Sequence, residues 1–380
     1  MIYLDNAGTM PPPKEAGSEF KEFNGLSDNF FNPSATYRGG ILVKNRIDAV
    51  RNDLAGALRV PAEAVFFTSG ATEANNWIFS GAVKNKKYGV VISAGEHASV
   101  YEPAMYLKNA GFDVRVAALT GQGTVDRADF LSKLDENTGL ISLIHVSNET
   151  GAVNDLAALS GLARAICPKA VFHADGVQAL GKLPLDLSAS GLDAYSFSGH
   201  KVGAFKGIGG LYVKPGVSIR PFMLGGGQES GMRSGTENVP GILSFGRAFA
   251  AFSRQAAENA SEIRGNFAYL VDRLSAIEGV SVAGDPANNA GYILTLLIAG
   301  VRAEVLQTLL YDKGVAVGRG AACSSKKPGN RILEAMGHGK KEIEGALRLS
   351  LSPFTKREAL KRAATAIEES ILTMRGYRIG

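Results

Sequence analysis

Cysteine is almost missing from this 380-residue chain, which has two, Cys167 and Cys323. They lie far apart and without the paired spacing of a zinc knuckle, so neither a disulfide framework nor a metal site is supported. An HExxH pair is missing too, and no metal ligation is expected. No apolar run approaches the roughly 20 residues that cross a bilayer, and the opening MIYLDNAG has no basic stretch ahead of an apolar one. The expectation is a soluble, cytoplasmic protein without a membrane partner. The net charge is only +5, and without a clustered patch it argues against direct nucleic-acid contact. Most of the excess sits late in the chain: from Lys313 onward 14 Lys/Arg face 6 Asp/Glu, giving +8 against −3 for the remainder. Such a tail is either a solvated helical surface or a docking face for an acidic protein.

What is present is an alternation of short apolar runs with helix-length segments. The runs cover residues 64–68, 88–93, 112–119, 139–146, 170–174 and 192–198, the pattern of an α/β fold with a mostly parallel sheet and helices on both faces. The segment from Asp155 to Cys167 puts Leu156, Leu159, Ala163 and Ile166 on one helical face behind an acidic start. GGLYVK (209–214) follows too soon for a crossover helix, so it is expected to run antiparallel or at an edge. A long helix is expected from about 243 to Ile277, then strands near 279–283, 291–298 and 315–318. A last helix would open with Thr355 and Glu358 as a capping box. These make a smaller α+β domain of residues 1–12 and 256–380 beside a larger one of 13–255.

Polar clusters follow several strands: SGATE, GEH, SNETG, ADGVQ and SGHK. Open α/β sheets bind ligands at these carboxyl ends, so five clusters can converge on one pocket. TSGATEANN (68–76) places a glycine turn and hydroxyls ahead of a helix, where a phosphate would be held; the same turn also serves as a plain strand-to-helix connection. It lacks the P-loop spacing, and the later glycine stretches lack a dinucleotide fingerprint. Asp175 and Lys201 end neighbouring strands. Each alone reads equally as a surface charge, but together, beside a phosphate-type turn, they match pyridoxal phosphate (PLP), whose aldehyde needs an amine and whose ring nitrogen needs a carboxylate. His97 and His200 are the candidate histidines, one to stack on a planar ring and shuttle protons as a catalytic group, the other to bind phosphate, whereas His145 and His173 lie within strands and are expected to pack. Cys167 ends an apolar helical face and reads as a small buried residue. Cys323 stands in GRGAACSSKKPGNR among four cations, which favour a thiolate.

Collinear motifs then carry a resemblance: YLDNAGT (3–9), NPS (32–34), FTSGATEANN (67–76), HVSNETG (145–151), HADGVQALGK (173–182), SFSGHK (196–201), GGGQESGMRSGTENVP (225–240), GAACSS (320–325) and LRLSL (347–351). Across nearly its whole length the chain resembles the NifS/IscS-type cysteine desulfurases, PLP enzymes of the class V aminotransferase group with fold type I. The resemblance implies PLP on Lys201, His97 stacked on the ring, Asp175 at its nitrogen and Gln178 at its phenolic oxygen. It also implies a phosphate cradle of Ala71, Thr72, Ser198 and His200, with Thr236 reaching the phosphate of a second subunit in a homodimer. Arg348, helped by Asn32 and Asn148, would clamp the carboxylate of L-cysteine, and Cys323 would receive its sulfur as a persulfide. Delivery would be to a sulfur-acceptor protein such as an iron–sulfur scaffold. Met10, Tyr37, Ser352-Pro353 and a shortened basic loop with Lys326 and Lys327 depart from the family pattern, and the loop leaves the acceptor open. Competing readings are a selenocysteine lyase or another class V enzyme, and a non-catalytic nucleotide-binding or scaffold protein.

Overall fold

A computed structural model describes residues 1–17, 28–320 and 329–376; Cys323, Lys326 and Lys327 lie outside the described residues. The strands are β1 (Ile2–Leu4), β2 (Val65–Thr68), β3 (Gly89–Ser93), β4 (Val114–Ala117), β5 (Thr138–Ile144), β6 (Val171–Asp175), β7 (Ala194–Ser198), β8 (Gly209–Val213), β9 (Val280–Val282), β10 (Ile293–Ile298), β11 (Val315–Arg319) and β12 (Ala346–Ser350).

Seven of them form one sheet in the order β2-β8-β7-β6-β5-β3-β4. Every pairing is parallel except those of β8, which runs antiparallel to both neighbours. β8 is therefore antiparallel, as its short connection demands, but interior rather than at an edge. Its near-continuous apolar sequence, buried throughout, suits that place. Since β2 and β7 both oppose β8, all strands but β8 deliver their carboxyl ends to one rim.

Helices cover the sheet because their apolar stripes need a partner. In the helix Leu156–Ile166, the Asp155 side chain accepts from the Ala158 amide and Leu156, Leu159 and Ala163 are buried. Ile166, assigned to the same face by spacing, is instead 37% exposed in the last turn. Cys167 is buried, and burial pushes its thiol pKa up, as befits a packed residue.

A second sheet has the order β1-β11-β12-β10-β9, antiparallel apart from β1–β11. The helices Ala260–Ser275, Ala303–Asp312 and Arg357–Gly376 cover it with Leu270, Leu306, Leu310, Leu360 and Ile367. Two sequence expectations change here. The long helix is two, Val239–Glu258 and Ala260–Ser275, separated at Asn259, whose φ/ψ of −101°/15° leaves the helical region and whose side chain donates to Pro353 O. The capping box does not form: the last helix begins at Arg357, and the Thr355 hydroxyl accepts from the Ser352 amide. Among the described residues no helix is long and apolar enough to cross a membrane.

The first strand belongs to the second sheet, and the turn after it returns to the first. Asn6 donates to Ser350 O at 2.7 Å, and the Ala7 amide donates to Ser350 Oγ at 2.8 Å. That turn forms one wall of the cavity described next.

Candidate active site

A cavity of about 750 Å³ opens where the carboxyl ends of the parallel strands meet the second sheet. Ten of the expected residues line it: Ala71, Thr72, His97, Asn148, Asp175, Gln178, Ser198, His200, Lys201 and Arg348. Two do not. Asn32 is exposed, and its Oδ1 accepts from the Ser34 amide in a local turn. Thr236 is exposed beside a separate, smaller cavity with Ser69 and Arg233.

The anion-binding corner comes from backbone geometry. β2 ends at Thr68, and Gly70, with φ of 155°, begins the helix Ala71–Ala82 without a side-chain cap. Its first amides are left to a ligand, with the positive end of the helix dipole behind them. Ser198 at the end of β7 and His200 in the turn Gly199–Lys201 close the corner. Burial, then Lys201 and other lysines, push His200 down to about 4, so it is a neutral donor.

Asp175 ends β6 with only 3% exposure. Its oxygens accept from Asn75 Nδ2 and the Val177 amide, both at 3.0 Å. Asn75 Nδ2 also donates to Ser99 Oγ, which meets His97 Nδ1, each at 2.8 Å. His97 Nδ1 further accepts from the Ser99 amide, so the neutral ring carries its proton on Nε2. Burial lowers the His97 pKa, against the pull of Asp175.

Lys201 Nζ donates to the carbonyls of Ala7 and Gly8 at 2.6 and 2.7 Å. Gln178 Nε2 donates to the same Ala7 carbonyl at 3.0 Å, and its Oε1 accepts from Lys182 Nζ at 2.6 Å. Burial, followed by Lys201 and Arg348, pushes the Lys182 ammonium down to about 7.

Arg348 enters from β12. Its Nη1 donates to Asn148 O at 2.8 Å and meets Glu149 Oε1 at 3.3 Å; Nη2 meets Asp5 Oδ1 at 3.2 Å. The buried Arg348 Nε and Asn148 Oδ1 have no hydrogen-bond partner among the described residues. Gly318 faces Arg348 across the strands, and a β-carbon there would lie 2.6 Å from Asp5 Oδ1 and 3.0 Å from Arg348 Nε.

Sequence reasoning missed Glu149, Asp5, Lys182 and Glu96. All four stand inside quoted motifs, but Arg348 is remote in sequence from Glu149 and Asp5, as Ile144 is from Glu96. Glu96 is fully buried, accepts from Ser93 Oγ and the Ile144 amide, and has an unpartnered Oε2. Burial pushes its pKa from 4.5 to about 8. Folding therefore binds a proton in that window, and stability falls as pH rises from 4.5 toward 8. Glu96→Gln removes this term, which amounts to ~1.4 kcal/mol per pH unit. Urea unfolding of both proteins across the window checks it: equal pH slopes would contradict it.

His173 bonds Ser142 and Ser196 at 2.8 Å each and is buried, a packing role. His145 lies just past β5 and bonds the Tyr195 hydroxyl at 2.7 Å. Among the described residues no group of His, Cys, Asp and Glu is placed to hold a metal ion.

The chain matches the aminotransferase class-V family model over residues 2–362, and it belongs to that family. It is 34% identical to the cysteine desulfurase IscS of Escherichia coli O139:H28, with 98% of this chain and 93% of that protein covered. Among solved structures, a NifS-like protein aligns with TM-score 0.91 at 30% identity, covering 98% of this chain and 99% of that one. The NifS-like protein from Rickettsia africae aligns with TM-score 0.87 at 29% identity, covering 97% and 99%.

Proposed function

We propose that the protein is a PLP-dependent cysteine desulfurase, converting L-cysteine to L-alanine and passing the sulfur to Cys323. The observation that carries this reading is the meeting of Lys201, Asp175, His97 and Arg348 around one cavity. The family match and the names of the relatives support it.

The residues present fit PLP: an amine for its aldehyde, a buried carboxylate for its ring nitrogen, and an uncapped helix start with Thr72, Ser198 and His200 for its phosphate. Bound there, the group would supply an electron-withdrawing ring that stabilises negative charge at the substrate Cα. Lys201 would hold it and, once released, take the Cα proton; the Ala7 and Gly8 carbonyls orient that amine. Arg348, which lines the cavity, would receive the substrate carboxylate. The Cys323 thiolate would attack the substrate sulfur. As that S–S bond forms, the C–S bond breaks, its electron pair stays with carbon, and protonation gives alanine with a persulfide on Cys323. No outside oxidant is needed.

Thr236, exposed and away from the main cavity, suits a role toward a second subunit, and the reading includes a homodimer in the cytoplasm that hands sulfur to an acceptor protein such as an iron–sulfur scaffold. The division at 13–255 against 1–12 and 256–380 belongs to the same proposal; the two separate sheets support it, while the larger core also takes in Ile263, Ile293, Ile332 and Leu333.

The test is release of alanine and sulfide from L-cysteine with PLP and a thiol reductant, alongside L-selenocysteine. Equal amounts of both products from cysteine support the reading; release from selenocysteine alone would make the protein a lyase for that substrate. Arg348→Lys should raise KM for cysteine ~10-fold or more, since an ammonium cannot reproduce the planar fork. An unchanged KM would remove Arg348 from substrate recognition.

A further inference from the structure

Glu149 follows β5 in SNETG and is fully buried. Its carboxylate is met by donors: Asn148 Nδ2 at 2.7 Å and Arg348 Nη1 at 3.3 Å on Oε1, and Asn330 Nδ2 at 2.9 Å on Oε2. Its carbonyl accepts from Thr295 Oγ1 of β10 at 2.5 Å, so the residue is pinned to both sheets. Gly320, the last described residue before Cys323, also touches this group: a β-carbon there would lie 3.0 Å from Asn330 Nδ2 and 3.4 Å from Glu149 Oε2. One flank of residues 321–328 is therefore bonded to this carboxylate through Asn330, and the other, at Gly320, lies close beside it.

The returning side is held further. Asn330 Oδ1 accepts from the amides of Ile332 and Leu333, capping the helix Arg331–Ala335. Arg331 stacks over Tyr101 at 3.9 Å and donates to the carbonyls of Ala94 and Glu96.

We propose that Glu149 is a positioning residue that ties the substrate-binding guanidinium of Arg348 to the Asn330 flank of the Cys323 segment, with Gly320 of the other flank close beside it, so that carboxylate recognition and sulfur transfer share one anchor. The inference rests on the function proposed above. A carboxylate is required because Asn148, Arg348 and Asn330 all donate to it. An amide in its place satisfies one side only: its oxygen turns to the charged Arg348, and its NH2 then faces the NH2 of Asn330.

The experiment compares wild type, Glu149→Gln, Asn330→Asp and the double variant, each loaded with PLP. Glu149→Gln should keep KM for L-cysteine within about threefold but slow single-turnover transfer of sulfur to Cys323 about tenfold, the cost of one buried unsatisfied donor. In the double variant the amide introduced at position 149 can donate to the carboxylate introduced at position 330, which still caps its helix, and transfer should return to near the wild-type rate. An independent readout is alkylation of Cys323 followed by peptide mass, since Cys167 is buried. Alkylation should be roughly threefold faster in Glu149→Gln, as expected when a local tie is lost, and normal in the double variant. Wild-type transfer in Glu149→Gln, or a double variant no better than the single ones, would overturn the proposal. If Glu149→Gln does not fold, the double variant decides alone: folded and fast supports the tie, folded and slow refutes it. A wild-type protein that releases no alanine from cysteine would instead remove the function on which it rests.

Discussion

Lys201→Ala lowers alanine production from cysteine by ~10³-fold or more, within the range a positioned acid–base group contributes. On the proposed function the side chain would have two duties at one atom, holding the cofactor and moving the Cα proton, and no neighbour could assume them. Lys182 is committed to Gln178, and Lys206 lines the cavity on the His200 side. Lys201→Arg gives no rescue, because a guanidinium keeps its proton at any working pH. Cys323→Ala behaves differently: the PLP absorbance and cysteine binding persist while sulfide release is lost. Visible spectra and product assays on the same preparations separate the cases. Full activity in either alanine variant would contradict the assignment of that residue.

Gly176→Ala costs about 3 kcal/mol or more of stability, the upper part of the range for overpacking a core. Gly176 follows Asp175 directly, and a β-carbon there would sit 1.9 Å from two ring atoms of Tyr195 and 2.3 Å from its hydroxyl. Tyr195 cannot step aside cheaply, for it is fully buried and its hydroxyl bonds His145. Any relief must move the backbone that aims Asp175, so PLP affinity should fall with stability. Gly161→Ala is the control, since nothing lies within 4 Å of its β-carbon and it sits in the helix Leu156–Ile166; it should gain ~0.5–1 kcal/mol. Denaturant midpoints measure both. Equal midpoints for Gly176→Ala and wild type would show that the Tyr195 contact yields more easily than packing implies.

The parallel sheet and the rim were legible because β-rich runs and polar clusters recur together, and Asp175, Lys201 and His97 end or follow the strands β6, β7 and β3. The capping Asp155 was legible for the same local reason. Features set by distant partners were not. Glu149 reads as an ordinary polar residue until Arg348, 199 positions away, is beside it. β1 has only three residues and β12 follows a short helix, too little pattern to stand out. The break at Asn259 depends on a carbonyl at Pro353, 94 residues on, which periodicity cannot sense. Asn32 came from motif resemblance, not geometry, and its exposure within this chain leaves its role to be tested by substitution.

The strand Ile2–Leu4 pairs with Val315–Val317, and Asn6 bonds Ser350, 344 residues away. The carbonyls of Ala7 and Gly8 that hold Lys201 sit in the turn between them and the larger sheet. The ribosome makes these residues more than 300 positions ahead of their partners. Much of the seven-stranded sheet can form while translation continues, but the Lys201 wall must wait until β11 and β12 have left the exit tunnel. A nascent chain stalled before residue 315 should therefore lack this pocket wall, and cofactor capture becomes an event that waits on β11 and β12.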